Sequence, residues 1–211
     1  MQTLLVGLGN PGRRYEGTRH NVGFDAVDRI LSSVGGRWYD SEPPASIAEA
    51  EIEGRSVTLM KPLSYMNLSG EPVSEWLRTH SMQRKDVLIY LDDVALPLGT
   101  LRLRERGTDG GHRGLASVLE SLGGTDVPRV RIGIRPQTSD EAESPVGELS
   151  DFVLARFTAE ERPLVEDVLS RVVSATRLIL AEGMGKAMSL NNTAPGETAR
   201  RGAEGAAGRD L

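Results

Sequence analysis

The 211-residue chain has no cysteine, which excludes a disulfide framework, thiolate metal ligation and a cysteine nucleophile. It has only three histidines, His20, His80 and His112, too few for a histidine-rich metal centre. No stretch approaches the ~18 consecutive apolar residues of a membrane-spanning helix. The short apolar run from Met1 to Gly9 lacks a basic segment before it and a cleavage site after it, so a signal peptide is not expected. A cytoplasmic location is the expectation. An excess of positive charge is missing as well. With 25 Lys and Arg against 30 Asp and Glu, the net charge is −5, unlike the basic balance of a dedicated nucleic-acid binder. The charge is uneven, however: residues 101–135 hold seven Arg against four acids, and residues 136–170 hold two Arg against nine. A local basic surface and two ordinary solvated faces both fit that pattern.

What is present suits a globular protein. Hydrophobic residues make up 38% and charged residues 26%, and a chain of this length can bury one substantial core. Apolar runs alternate with helical patterns, the signature of an α/β fold. Strands are predicted over Thr3–Leu8, Ser56–Lys61, Val87–Leu91, Thr100–Arg104 and Arg129–Ile134, with a less clear one within Asp40–Glu53. In the fourth, Leu101 and Leu103 alternate with Arg102 and Arg104, which fits one wet, basic face. Helices are predicted over Asn21–Val34, Glu71–His80, Gly114–Leu122 and Glu160–Glu182, the last stopped by Gly183. The acidic segment Gln137–Leu149 reads as an exposed loop, and Thr193–Leu211, without periodicity, as a disordered tail. One domain over residues 1–192 with a polar tail is the expected organisation.

Four clusters carry chemistry. The first strand runs into Gly7-Leu8-Gly9-Asn10-Pro11-Gly12, formally the dinucleotide fingerprint. Pro11 removes a backbone N–H where a pyrophosphate needs donors, the next helical pattern starts about ten residues too late, and no acid ends a second strand; the fit is poor. Glycines serving a tight turn explain the spacing but not a polar Asn10 at a strand's C-terminal end, where open α/β sheets place their sites. The second cluster joins Thr18-Arg19-His20-Asn21 to Asp92-Asp93 after an apolar strand. Carboxylates there are costly without a partner, and His20 is a candidate. A His–Asp pair holds the imidazole in one tautomer as a general base, and with no cysteine and no G-x-S-x-G elbow the nucleophile is water. The third cluster, Lys61 to Gly70, puts Asn67 and Ser69 before a helix, where either could simply be its cap. The fourth is Arg102, Arg104 and Arg106 followed by a Gly-rich loop through His112 and Arg113, which fits a phosphate track or a solvated loop.

The stretches VGLGNPGRRYEGTRHNVGF, KPLSYMNLSG, LDDVALPLGTLRLR, GGHRGL, PRVRIGI and DFVLARF run in order from Val6 to Phe157, and GMGKAM follows at 183–188. Together they resemble the bacterial peptidyl-tRNA hydrolases. The resemblance implies a single three-layer α/β domain, a twisted mixed β-sheet flanked by helices. It implies a metal-independent, cofactor-free hydrolysis of the ester between peptide and tRNA, by a monomer that binds the acceptor stem and 3′ end. It implies His20 as the base, Asp92 rather than Asp93 as its partner, and Asn10 as the residue that tells blocked from free aminoacyl-tRNA. Asn67 would hold the peptidyl moiety, Tyr15 and Tyr65 would sit at the tRNA 3′ end, and Arg113 would contact substrate or tRNA. Arg113, Ala95 and Ser189 depart from the usual Asn, Asp and Asn of the family at those positions. A non-catalytic RNA-binding relative of the same fold is the alternative, since fold does not guarantee reaction; the joint presence of Asn10, His20, Asn67 and Asp92 favours the enzyme.

Overall fold

The computed structural model describes residues 2–39, 44–137 and 148–192. Its centre is a six-stranded sheet: β1 (Thr3–Gly7), β2 (Ala45–Ile52), β3 (Arg55–Pro62), β4 (Val87–Pro97), β5 (Leu101–Arg104) and β6 (Arg129–Arg135). The order is β2-β3-β1-β4-β6-β5. The four inner strands are parallel, and β2 and β5 are antiparallel at the edges, so the sheet is mixed. Inner strands buried on both faces read as continuous apolar runs, and successive side chains go to opposite layers. Leu5, Leu88 and Tyr90 pack with helices α1 (Val22–Ser32), α5 (Arg162–Glu182) and α6 (Met184–Asn191). Leu4, Val6, Ile89 and Leu91 pack with α2 (Gly70–Thr79) and α3 (Arg113–Ser121) on the other face. This is the expected three-layer arrangement. A short helix, α4 (Leu149–Leu154), buries none of its residues fully but packs Phe152 and Val153 against the first of these cores, that of α1, α5 and α6.

Several boundaries differ from the sequence reading. The strand expected to stop at Leu91 continues to Pro97, so Asp92 and Asp93 lie within β4, paired in register with Ile132 and Gly133. Hydrogen bonds from two imidazoles to Asp92 and an ion pair of Arg131 with Asp93 make carboxylates tolerable there, and local apolarity could not show that. The doubtful strand within Asp40–Glu53 is β2. Helix α6, after Gly183, was not expected; its eight residues depend on packing against α5 and β5 rather than on a periodic stripe. Asn192 follows it and blunts the free edge of β5. Its Oδ1 accepts from the Leu103 N–H at 2.8 Å, and its Nδ2 donates to the Leu103 carbonyl at 3.0 Å. Most of Gln137–Leu149 and all of Thr193–Leu211 fall outside the described residues.

The glycines of the first motif serve packing, not phosphate. A Cβ on Gly7 would meet the Gly23 carbonyl oxygen at 2.3 Å, and one on Gly23 would meet the Leu8 and Tyr90 oxygens at 2.4 and 2.5 Å. Helix α1 therefore lies directly on the backbones of β1 and β4, and it starts at Val22, well past Gly12. From β1 the chain leaves toward β3; from β4 it leaves toward β6. That reversal opens a crevice above the C-terminal ends of β1 and β4.

Candidate active site

A cleft of about 560 Å³ occupies the crevice. Asn10, Tyr15, His20, Tyr65, Asn67, Asp92 and Arg113 all line it, although they come from four separate stretches of the chain. Arg102, Arg104 and Arg106 do not. A second hollow, around Gln2, Gly54, Arg55 and Ser56, lies at the opposite end of β1 and β3 and offers no acid–base pair.

His20 sits in a 3₁₀ turn, Arg19–Asn21, just before α1. Its Nδ1 donates to Asp92 Oδ1 at 2.8 Å. An ionised carboxylate only accepts, so the proton is on Nδ1 and Nε2 keeps a lone pair. Asp92 is almost fully buried. Burial by itself would raise its pKa, but the imidazoles of His112 and His20 outweigh that and hold the carboxyl well below the usual range.

His112 is the residue that the sequence reading left without a role. Its Nε2 lies 2.9 Å from the same Asp92 oxygen, and its Nδ1 accepts from the Leu115 N–H at 3.1 Å, capping α3. The cap bond requires an unprotonated Nδ1, so Nε2 carries the proton and donates to Asp92. Of the two imidazoles on Asp92, only His20 retains a nitrogen free to take a proton. In the sequence His112 is one member of a glycine-rich motif, and no local signal shows that it reaches a carboxylate twenty positions away. The loop before it is held by Arg129, whose buried guanidinium donates to the carbonyls of Gly107, Thr108, Thr125 and Val127 at 2.8–3.0 Å.

Asn10 is pinned from three sides. Its N–H donates to Asn21 Oδ1 and its carbonyl accepts from Asn21 Nδ2, both at 2.9 Å. Its own Oδ1 accepts from the Met66 N–H at 2.9 Å. The amide group left to face the cleft is therefore Nδ2, a donor. Asn21 was expected only to open α1; instead its side chain fixes Asn10. Met66 opens the 3₁₀ turn Met66–Leu68, and Asn67 beside it is exposed on the cleft rim. Neither Asn67 nor Ser69 caps α2: Ser69 stands at the N-cap without a side-chain cap bond, and its Oγ donates to the Met66 carbonyl at 2.9 Å.

Asp93 pairs with Arg131 at 2.9 Å and accepts the Ala95 N–H at 3.0 Å. Arg131 lines the cleft and is the register partner of Arg102 on β5, while Arg104 faces Arg129. Directly paired residues share a face, so Arg102 and Arg104 lie on the sheet face of Arg131 and Arg129, outside the cleft itself. Glu148 and Leu149, at the end of the segment expected to be an exposed loop, line the cleft together with the rest of α4. Among the described residues, His20, Asp92 and His112 are the group whose ligand atoms could hold a metal ion, lying within 4.8 Å of one another. Both imidazole–carboxylate hydrogen bonds would have to break to admit one.

A family model described as peptidyl-tRNA hydrolase matches residues 4–199. A peptidyl-tRNA hydrolase of Chloroflexus aggregans is 41% identical over 192 residues, covering 90% of this chain and 98% of the relative. One from Chlorobium luteolum is 42% identical over 191 residues, covering 90% and 97%. The crystal structure of a peptidyl-tRNA hydrolase from Acinetobacter baumannii superposes with a TM-score of 0.80 at 31% identity, covering 90% of this chain and 94% of that one.

Proposed function

Given that the chain belongs to the peptidyl-tRNA hydrolase family, we propose that it hydrolyses the ester joining a peptide, or an N-blocked aminoacyl group, to the 3′ end of tRNA. The observation that carries the chemistry is the His20–Asp92 pair at 2.8 Å with Nε2 left as the acceptor. Nε2 takes a proton from water as the water oxygen attacks the ester carbonyl. The ribose oxygen then leaves with a proton, and His20 returns to its neutral form. The ionised Asp92 stabilises the imidazolium that exists between those steps. A positioned base of this kind contributes ~10²–10⁴-fold. The remaining acceleration is assigned to orientation and to donors at the developing oxyanion, from an Asn side chain or backbone N–H groups.

Selection of blocked substrates is assigned to Asn10. Its cleft-facing Nδ2 is a donor. A peptidyl ester offers an amide carbonyl to accept it, whereas a free aminoacyl ester offers an ammonium, which is itself a donor, and leaves both groups unpaired. Asn67 is proposed to hold the peptidyl amide, with Tyr15 and Tyr65 against the 3′ terminal nucleotides. Arg113 is proposed to contact phosphate at the cleft mouth, a role in which Arg serves although it cannot accept a hydrogen bond as Asn can. Arg102, Arg104 and Arg106 would continue along the acceptor stem; the first two share the sheet face of Arg131.

No helix among the described residues is long and apolar enough to cross a membrane. A monomer in the cytoplasm is the proposed working form. A binding protein without catalysis would have no use for a base held in one tautomer by a buried carboxylate. The test is release of labelled N-acetyl-aminoacyl groups from tRNA, beside unblocked aminoacyl-tRNA, with EDTA present. Rapid release of the blocked form alone is expected. No release with intact tRNA binding would overturn the reading, and loss of release in EDTA alone would overturn metal independence.

A further inference from the structure

The turn Arg19–Asn21 sends three consecutive side chains to three different walls of the cleft. Asn21 grips Asn10 after β1, and His20 grips Asp92 on β4. Arg19 runs the other way, toward α4 and the start of α5. Both of its Nη atoms donate to Glu161 Oε2 at 2.9 Å. Its guanidinium lies between two rings, 4.8 Å from the centroid of Phe152 and 4.9 Å from that of Phe157. The backbone adds a second tie, from the Arg19 N–H to the Ala155 carbonyl at 3.0 Å, next to a bridge between Thr18 and Arg156. The Arg19 side chain is only 6% exposed, so this is a desolvated strut rather than a surface ion pair.

Helix α4 needs such a strut. It has six residues, none of them buried, and a helix that short has no stability of its own. Yet Leu149, Ser150, Val153 and Leu154 form one side of the cleft. Phe152, on the same helix, is the ring that Arg19 covers. We propose that Arg19 is a positioning residue that sets the α4 wall at a fixed place relative to His20, and so governs how the cleft grips its occupant. This rests on the hydrolase reading above. Lys would keep the charge at this position but not the fork or the flat stacking surface.

The two ends of the turn separate the expected effects. His20 and Asn10 keep their own anchors when Arg19 changes, so the chemical step is largely preserved while the wall loosens. R19K is expected to raise KM for N-acetyl-aminoacyl-tRNA about 10-fold and to leave kcat within about 3-fold. E161Q, which weakens the strut from its other end, should show the same split in smaller measure and serves alone if R19K does not fold. L149A/L154A removes the wall itself. Adding R19K to it should have little further effect on KM, because the two changes act on one element. Folding is followed by circular dichroism, so that a purely structural role appears as a lower Tm with unchanged KM at 25 °C. Folded R19K and E161Q with wild-type KM, or KM effects that multiply with L149A/L154A, would overturn the proposal. A wild-type protein that released no blocked aminoacyl group would overturn the hydrolase reading and this proposal together.

Discussion

Replacing Asp92 by Asn tests the base–carboxylate pair with almost no change in shape. Asp92 is 3% exposed and accepts from His20 Nδ1 at 2.8 Å and from His112 Nε2 at 2.9 Å. The amide oxygen of Asn can still accept, so both rings stay near their places in the resting enzyme. What disappears is the negative charge facing His20 at the moment it becomes an imidazolium. Two unit charges about 4 Å apart interact by about 4 kcal/mol at the effective dielectric of ~20 that suits such sites. Part of that survives as a neutral hydrogen bond of about 1 kcal/mol. The net loss of about 3 kcal/mol in the transition state corresponds to a fall in kcat of ~10²-fold. The assay is single-turnover release of N-acetyl-aminoacyl groups at saturating enzyme, with tRNA affinity measured separately and expected to change little. The carboxyl is held below its ordinary value of 3.8. It is therefore ionised throughout pH 5–9, and the defect should persist across that range. Its two pairings stabilise the fold fully above about pH 4, and that contribution is lost as pH falls further. A D92N enzyme within about 5-fold of wild type would refute the role given to Asp92, and an equally active His20→Ala enzyme would refute the base itself.

Asp25, on α1 beside α5, has its pKa pushed up to about 6, chiefly by burial and then by Asp28, with a smaller push from Glu166. Its folded pKa lies above the unfolded one, so the folded state loses stability as pH rises from about 4 to about 6. Asp25→Asn should then raise stability at pH 7.5 by an amount on the order of 1–3 kcal/mol, read as a higher Tm, and leave it unchanged at pH 3.5; an equal gain at both pH values would refute this. Arg102→Ala or Arg104→Ala should weaken tRNA binding and lower its salt slope by about 1 each, measured by titration at several salt concentrations. An unchanged slope would remove that sheet face from the tRNA track. His112→Ala removes both the α3 cap and one donor to Asp92, and should cost about 1 kcal/mol of stability along with a reduction in kcat; a stability loss with unchanged kcat would leave His112 as a cap alone.

The α/β class, the alternation of β5 and the long helix ending at Gly183 were legible in the sequence, because apolar periodicity and stop residues are local properties of the chain. Motif resemblance carried Asn10, His20, Asn67 and Asp92, and all four line one cleft. Composition set real bounds too: without cysteine or a serine elbow, water was the remaining nucleophile. Tertiary structure decided the rest. Asp92 and Asp93 are strand residues because His20 and His112 satisfy the first by hydrogen bonds and Arg131 pairs with the second, and those partners come from other elements. The glycines of the first motif are there to let α1 approach two strands, which spacing alone cannot distinguish from phosphate binding. The tautomers of His20 and His112 follow from hydrogen bonds to residues far away or across a helix turn, and so does the choice of which ring can act as base. Arg19 reads as one more charge in a motif until Phe152, Phe157 and Glu161 close around it. Roles of this kind are long-range: they depend on which desolvated group meets which partner, and the chain acquires those partners only on folding.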